Sequence, residues 1–219
     1  VENLGIEYTE VGKYVEQCWQ QIPQFYPDVQ VIADVVMPDH FHGLLYITPG
    51  SNVHLGQIIK GFMIQGGDPD SRNAKPGALL GEGDVKYTLP AEFQIPYYYH
   101  LRGALAAARE GDEVNPQQRS SGSQFYIVWG KVFPNDSILD ARYEQTKRMG
   151  TAPIADEVRE TYHTLGGTPH LDGNYTVFGE VIKGLDVVGA IQAVKTDSLD
   201  RPIKDVRIKK AFVSKPLLK

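Results

Sequence analysis

Two parts of this chain hold residues whose types and spacing could do chemistry. The first is Met37-Pro38-Asp39-His40-Phe41-His42. On a strand, side chains two apart point to the same side, so His40 and His42 could share one divalent cation. Two ligands are fewer than a metal site normally uses. The ordinary reading is therefore a pair of surface or hydrogen-bonded histidines, and no resident metal is expected. The second part is a scatter of apolar and carboxamide side chains: Phe62, Met63 and Gln65 before the Gly66-Gly67 pair, Ala108 in a run of small residues, Gln124 and Tyr126 after Ser123, and Leu171 before Asp172-Gly173. Read singly, Phe62, Met63 and Leu171 are core residues; their order along the chain gives them interest as a set.

The elements that must position these residues follow from periodicity. Thr9 is a plausible N-cap for a helix over residues 9–21, with Val11, Tyr14, Val15, Cys18, Trp19 and Ile22 on one face and Pro23 as its stop. Two extended runs, residues 29–37 and 41–48, flank the Pro38-Asp39 turn, which gives an N-terminal α-β-β unit. Further on, Phe62 to Gln65 reads as a strand running into a tight glycine turn. The run Gly103-Ala104-Leu105-Ala106-Ala107-Ala108 suits close backbone approach, and Ser120 to Val128 is a polar turn entering a strand. An Asp172-Gly173 turn lies between apolar flanks, and the run from Val206 to Val213 supplies a last strand. Short strands with turn signals predict a mainly β barrel or sandwich. Helices interrupt it over residues 138–149, closed by Gly150, from Pro153 to Gly166-Gly167, and over residues 185–194.

Composition narrows the class. With 219 residues, 42% apolar and 22% charged, the chain can bury a sizeable core and does not read as disordered. A net charge of −5 argues against broad nucleic-acid binding, which shows as a basic patch. Cys18 is the only cysteine, which rules out an intramolecular disulfide and a cysteine-based zinc site. No apolar run approaches a membrane span and no signal peptide is visible, so a cytoplasmic location is the expectation.

Residues 4–59, through Tyr8-Thr9-Glu10-Val11-Gly12-Lys13, Val15-Glu16-Gln17-Cys18-Trp19 and Val35-Val36-Met37-Pro38-Asp39-His40-Phe41-His42-Gly43, resemble the start of a REP-associated tyrosine transposase. That family cuts single-stranded DNA with a metal held by a His-hydrophobic-His pair and a tyrosine on a later helix. The pattern stops before that helix, and Tyr46 and Tyr97 to Tyr99 stand in other contexts. Without its nucleophile the segment cannot form a covalent DNA intermediate, so it is read as a structural remnant.

From about residue 58 to 217 the chain resembles a cyclophilin-type peptidyl-prolyl isomerase. The resemblance rests on Gly61-Phe62-Met63-Ile64-Gln65-Gly66-Gly67-Asp68, Gly122-Ser123-Gln124-Phe125-Tyr126-Ile127, and Leu171-Asp172-Gly173 with Thr176-Val177-Phe178-Gly179, in family order. The helical insertion before Pro169 resembles bacterial members. The implied organisation is a transposase-like fragment over 1–57 and a cyclophilin-like domain over 58–219. The implied fold is a β-barrel with helices, incomplete because the family's first two strands and first helix are missing. The resemblance further implies X-Pro bonds in proline-containing peptides or unfolded proteins as substrates, with no cofactor, no membrane and no nucleic acid. It places Phe62, Met63, Tyr126 and Leu171 around the proline ring, with Phe62 and Gln65 as the catalytic pair. Gln65, Gln124 and the backbone near Arg109 would bond the flanking peptide, and Ala108 would keep the neighbouring groove shallow.

An X-Pro bond turns over a barrier of about 20 kcal/mol. Rotation breaks amide resonance and localises a lone pair on the prolyl nitrogen, so a catalyst gains by binding the twisted state more tightly than either planar one. The family places an arginine five positions before the Phe of Phe-Met-Ile-Gln-Gly-Gly. Here that position is Gln57, which can donate a hydrogen bond but carries no charge. Reduced turnover is the expectation, and a non-catalytic proline-peptide binding module is the alternative. His170 stands at the family's common tryptophan and Tyr175 at a frequent histidine.

Overall fold

The computed structural model describes residues 29–36, 41–47, 53–144 and 154–209. The expected helix over residues 9–21, His40 and the last strand's residues beyond 209 lie outside the described residues. The chain divides into two compact units, Val1–Asn52 with Ile208–Lys219, and Val53–Arg207.

In the first unit, β1 (Val29–Val36) and β2 (Phe41–Ile47) pair antiparallel. Val36 stands opposite Phe41 and Val35 opposite His42, with an irregularity between Val31 and Ala33. The β-branched run of β1 favours this pleated pairing, and the two strands fall within the expected extended runs.

The second unit is built on a five-stranded antiparallel sheet. Its strands are β4 (Gln57–Ile59), β5 (Met63–Gly66), β7 (Ala104–Ala107), β9 (Phe125–Val128) and β10 (Val177–Glu180), in the spatial order β10-β7-β9-β5-β4. Ahead of it, β3 (Val53–His54) runs into Leu55, whose N–H donates to the Val206 carbonyl at 2.9 Å. A separate pair joins β6 (Thr88–Leu89) to β8 (Ser120–Ser121).

Register decides which side chains share a face. Ile58, Ile64, Ile127 and Leu105 stand directly across successive strands, one row from Gln57, Gln65, Tyr126 and Ala106. Alternation sends the two rows to opposite faces. The glutamine row lies on the face with the main core cluster of Met63, Ala104, Ala106, Tyr126, Val128 and Leu171.

The barrel expected to be incomplete is an open sheet among the described residues. A barrel pairs every strand on both sides, whereas this sheet ends in β10 and β4, and the other described strands pair in small sheets of their own. Phe178 on β10 is accordingly 58% exposed, although it is a large aromatic on a strand.

Three described helices complete the unit: α1 (Asp136–Glu144), α2 (Asp156–Thr164) and α3 (Leu185–Gln192). They begin or end within a few residues of the expected limits, and residues 145–153, which carried the expected end of the first helix, are outside the described residues. At the end of α2, the Leu165 and Gly166 amides both donate to the Thr161 carbonyl, and Gly166 turns left-handed at φ +89°. This is the glycine stop read from the sequence. No helix among the described residues is long and apolar enough to cross a membrane.

Candidate functional site

The glutamine row is the base of a cavity. Gln57 on β4 faces Gln65 on β5, and Gln65 faces Tyr126 on β9. Phe62 reaches the same face from the β4–β5 turn, where its N–H donates to the Ile59 carbonyl at 2.9 Å and its own carbonyl accepts from Trp129 and Gly130. Leu171 arrives from the far side on a short 3-10 turn, Pro169–Leu171.

Together these enclose a pocket of about 260 Å³ lined by Gln57, Phe62, Met63, Gln65, Gly81, Ala108, Arg109, Tyr126, Leu171 and Tyr175. Of the site residues read from the sequence, Phe62, Met63, Gln65, Ala108, Tyr126 and Leu171 all line it. Gln124 does not, but its Oε1 accepts from Gln65 Nε2 at 2.8 Å. Its own Nε2 donates to the Gly81 and Gly83 carbonyls at 3.0 and 2.5 Å. Gln124 thereby ties the strand that carries Gln65 to the loop that walls the pocket. The Ser121 hydroxyl accepts from the Gln124 amide at 2.7 Å and fixes the turn that delivers it.

Gln57 lies close against the same loop. A Cβ added at Gly81 would lie 3.0 Å from both the Gln57 carboxamide carbon and Nε2, and Gly81 sits at φ +101°. Only glycine serves both demands there.

The pocket wall contains aromatic plates in contact. Phe62 stacks on His170 with ring centroids 5.5 Å apart and 20° between planes. Tyr126 meets Tyr175 edge-on at 5.9 Å. Burial, helped by the Arg142 cation, pushes the His170 imidazole down to about 4, so at neutral pH it packs as an uncharged ring. Burial also raises the Tyr126 phenol well above its ordinary value, keeping it protonated.

Among the lining residues only Arg109 is charged. Its side chain is 5% exposed. Its Nε donates to the Asn174 carbonyl at 2.9 Å, its Nη1 to the Glu110 carbonyl and Asp112, and its guanidinium lies 4.6 Å from the Tyr175 ring centroid. Sequence reasoning took only the backbone here, because a guanidinium stacked on an aromatic 66 positions later leaves no local pattern. Arg109 and Tyr175 also border a wider groove of about 650 Å³ that continues past His170 and Val114. Among the described residues no three His, Cys, Asp or Glu side chains gather as a metal site.

The pocket can therefore hold a small apolar ring against Phe62, Met63, Tyr126 and Leu171, with carboxamides along one side and no carboxylate or imidazole among its described lining residues.

Comparisons with known proteins point to one family. The family model described as cyclophilin type peptidyl-prolyl cis-trans isomerase matches residues 50–213. A Streptococcus pyogenes protein named as a bifunctional phosphatase/peptidyl-prolyl cis-trans isomerase is 35% identical over 183 residues, covering 80% of this chain and 34% of that protein. A Staphylococcus epidermidis protein named as a peptidyl-prolyl cis-trans isomerase is 31% identical over 153 residues, covering 69% of this chain and 67% of its own length. The chain thus spans about a third of the first relative and two thirds of the second. A solved cyclophilin-type isomerase of Cryptosporidium parvum aligns at 24% identity and TM-score 0.49 over 76% of each chain. The same protein solved in the presence of the dipeptide Ala-Pro aligns at TM-score 0.48. Nothing in these comparisons supports the transposase resemblance of residues 4–59, and the family model overlaps its residues 50–59. With three quarters of its length under that model and the pocket residues gathered on one sheet face, this chain belongs to the cyclophilin-type peptidyl-prolyl cis-trans isomerase family.

Proposed function

We propose that the chain catalyses cis-trans rotation of X-Pro bonds in peptides or unfolded proteins, at a rate held down by Gln57. The observation that carries this reading is the cross-strand row Gln57–Gln65–Tyr126 beneath a ring-sized apolar pocket. The proline ring would sit against Phe62, Met63, Tyr126 and Leu171, fixing one side of the amide while the acyl side turns. Gln65 would bond the substrate backbone, oriented by Gln124. The Arg109 backbone N–H and C=O take no partner among the described residues, which leaves them free to pair with an extended peptide.

The donor toward the prolyl nitrogen is the weak element. In the twisted state that nitrogen carries a localised lone pair, and a charged donor stabilises it more than a neutral carboxamide does. With Gln57 there, the pocket binds planar and twisted forms with a smaller difference between them, which lowers the rate more than the affinity. The same observation favours one second reading, a proline-peptide binding module that does not turn over.

A protease-coupled isomerisation assay on an alanyl-prolyl peptide, run beside a calorimetric titration of the same peptide, tests the proposal. Binding with measurable turnover supports the isomerase, binding without it supports the module, and neither in a folded protein overturns the pocket assignment. For the first unit we retain the reading of a remnant without nuclease chemistry.

A further inference from the structure

Behind the pocket lies a buried carboxylate that the chemistry above does not use. Asp172 is 4% exposed, yet both its oxygens are occupied. One accepts the His100 backbone N–H at 2.7 Å and His100 Nδ1 at 3.0 Å. The other accepts the hydroxyl of Tyr162 at 2.7 Å and that of Tyr143. These donors come from three places: Tyr143 is on α1, Tyr162 on α2, and His100 precedes β7. A carboxylate this deep is stable only when its acceptors are filled.

Its neighbours reach the pocket directly. Leu171, the preceding residue, is a wall of the pocket. The His100 ring stacks on Tyr126 with centroids 6.1 Å apart and 16° between planes, and meets Tyr175 edge-on at 6.4 Å. The Thr168 amide donates to the His100 carbonyl at 2.8 Å, so the two segments joined by Asp172 are also pinned through their backbones. Tyr143 and Tyr162 pack edge-to-face at 6.4 Å, and burial raises both phenols, which keeps them as donors.

We propose that helices α1 and α2 position the proline pocket: Tyr143 and Tyr162 hold Asp172, and Asp172 in turn sets Leu171 on one wall and, through His100, Tyr126 on the base. These are positioning residues and do not touch substrate. The inference rests on the isomerase reading only for the identity of the ligand.

The test is the double variant Tyr143→Phe/Tyr162→Phe, which removes two hydroxyls, with Arg159→Ala as control. Arg159 joins α2 to Asp136 and Asp140 on α1 without touching the network. The chain has three methionines, so a methyl-labelled sample gives a simple spectrum in which Met63 reports on the pocket. The double variant is expected to shift the Met63 methyl resonance and weaken alanyl-prolyl peptide binding about tenfold. KM should rise with it while kcat changes less than about twofold, as for a loss of uniform binding. Arg159→Ala is expected to leave all three readouts unchanged. An unshifted Met63 in a folded double variant overturns the inference, as does an equal response in Arg159→Ala. If the double variant does not fold, Tyr143→Phe and Tyr162→Phe taken singly carry the same comparison. If the unmodified chain binds no proline peptide, the isomerase reading fails on its own, and the Met63 resonance still decides the role of the helices.

Discussion

Gln57 and Gln65 face each other across the β4–β5 pair, on the side of the sheet that carries the pocket. The position that the sequence resemblance aligns with the family's arginine therefore lies on the pocket side of the sheet. What differs is its charge and length, and that makes the substitution a direct test.

Gln57→Arg is expected to raise kcat/KM for an alanyl-prolyl peptide on the order of a hundredfold, the typical worth of one oriented donor to developing charge. Peptide affinity should change much less, because the added interaction matters mainly in the twisted state. Isomerisation rates and titrations on the two proteins decide it. No rate gain in a folded variant would show that something other than the missing guanidinium limits turnover.

Phe62→Ala is expected to weaken proline-peptide binding by about 1–3 kcal/mol, since it removes both a pocket wall and the partner of the His170 ring. A calorimetric titration checks it, with a melting curve to confirm that the variant remains folded. Unchanged affinity would remove Phe62 from the pocket.

Stability should depend on pH through His170. Its imidazole titrates near 6.5 when unfolded and at about 4 when folded, so the unfolded chain binds more protons between those values. Stability is then full above pH 6.5 and declines as pH falls toward 4. His54, also lowered by burial, adds to the same slope, whereas His163, raised by the Phe133 carbonyl and Asp136, acts in the opposite sense as pH rises through its folded value. His170→Phe, which keeps a ring against Phe62, should flatten the slope of denaturation midpoints between pH 4 and 6.5 without abolishing it. An unaltered slope would show that His170 is not the buried base.

Gly81→Ala should act on the site through Gln57. The new methyl group would meet the Gln57 carboxamide at 3.0 Å on a backbone held at φ +101°. A melting temperature lowered by several degrees and a loss of peptide affinity are expected, larger than for Gly77→Ala, where a Cβ meets nothing within 4 Å. Similar effects at the two glycines would argue that the contact with Gln57 carries no weight.

Much of the site was legible because its residues sit in runs with local signatures. Phe62 to Gly67 announces a strand and its turn, and Ser121 to Tyr126 a polar turn and a strand. Once those strands pair, register alone brings Gln57, Gln65 and Tyr126 into line. What stayed hidden depends on contacts between distant segments. Asp172 read as half of a turn, but it is a buried acceptor for residues as far away as His100, and only packing reveals that. The Arg109 side chain likewise finds its place on Tyr175 through the fold, and only the pairing shows that β10 and β4 end the sheet.

The strand order β10-β7-β9-β5-β4 also governs when the sheet can be made. Val177 on β10 pairs with Ala106 on β7, and both helices α1 and α2 lie between them in the chain. Such long-range pairing makes for slow folding, because a large loop must close before its contacts stabilise it. During synthesis, β4, β5, β7 and β9 can associate first, while the outer edge of β7 waits for β10 to leave the ribosome. Over that interval the unpaired β7 edge is open to pairing with other strands.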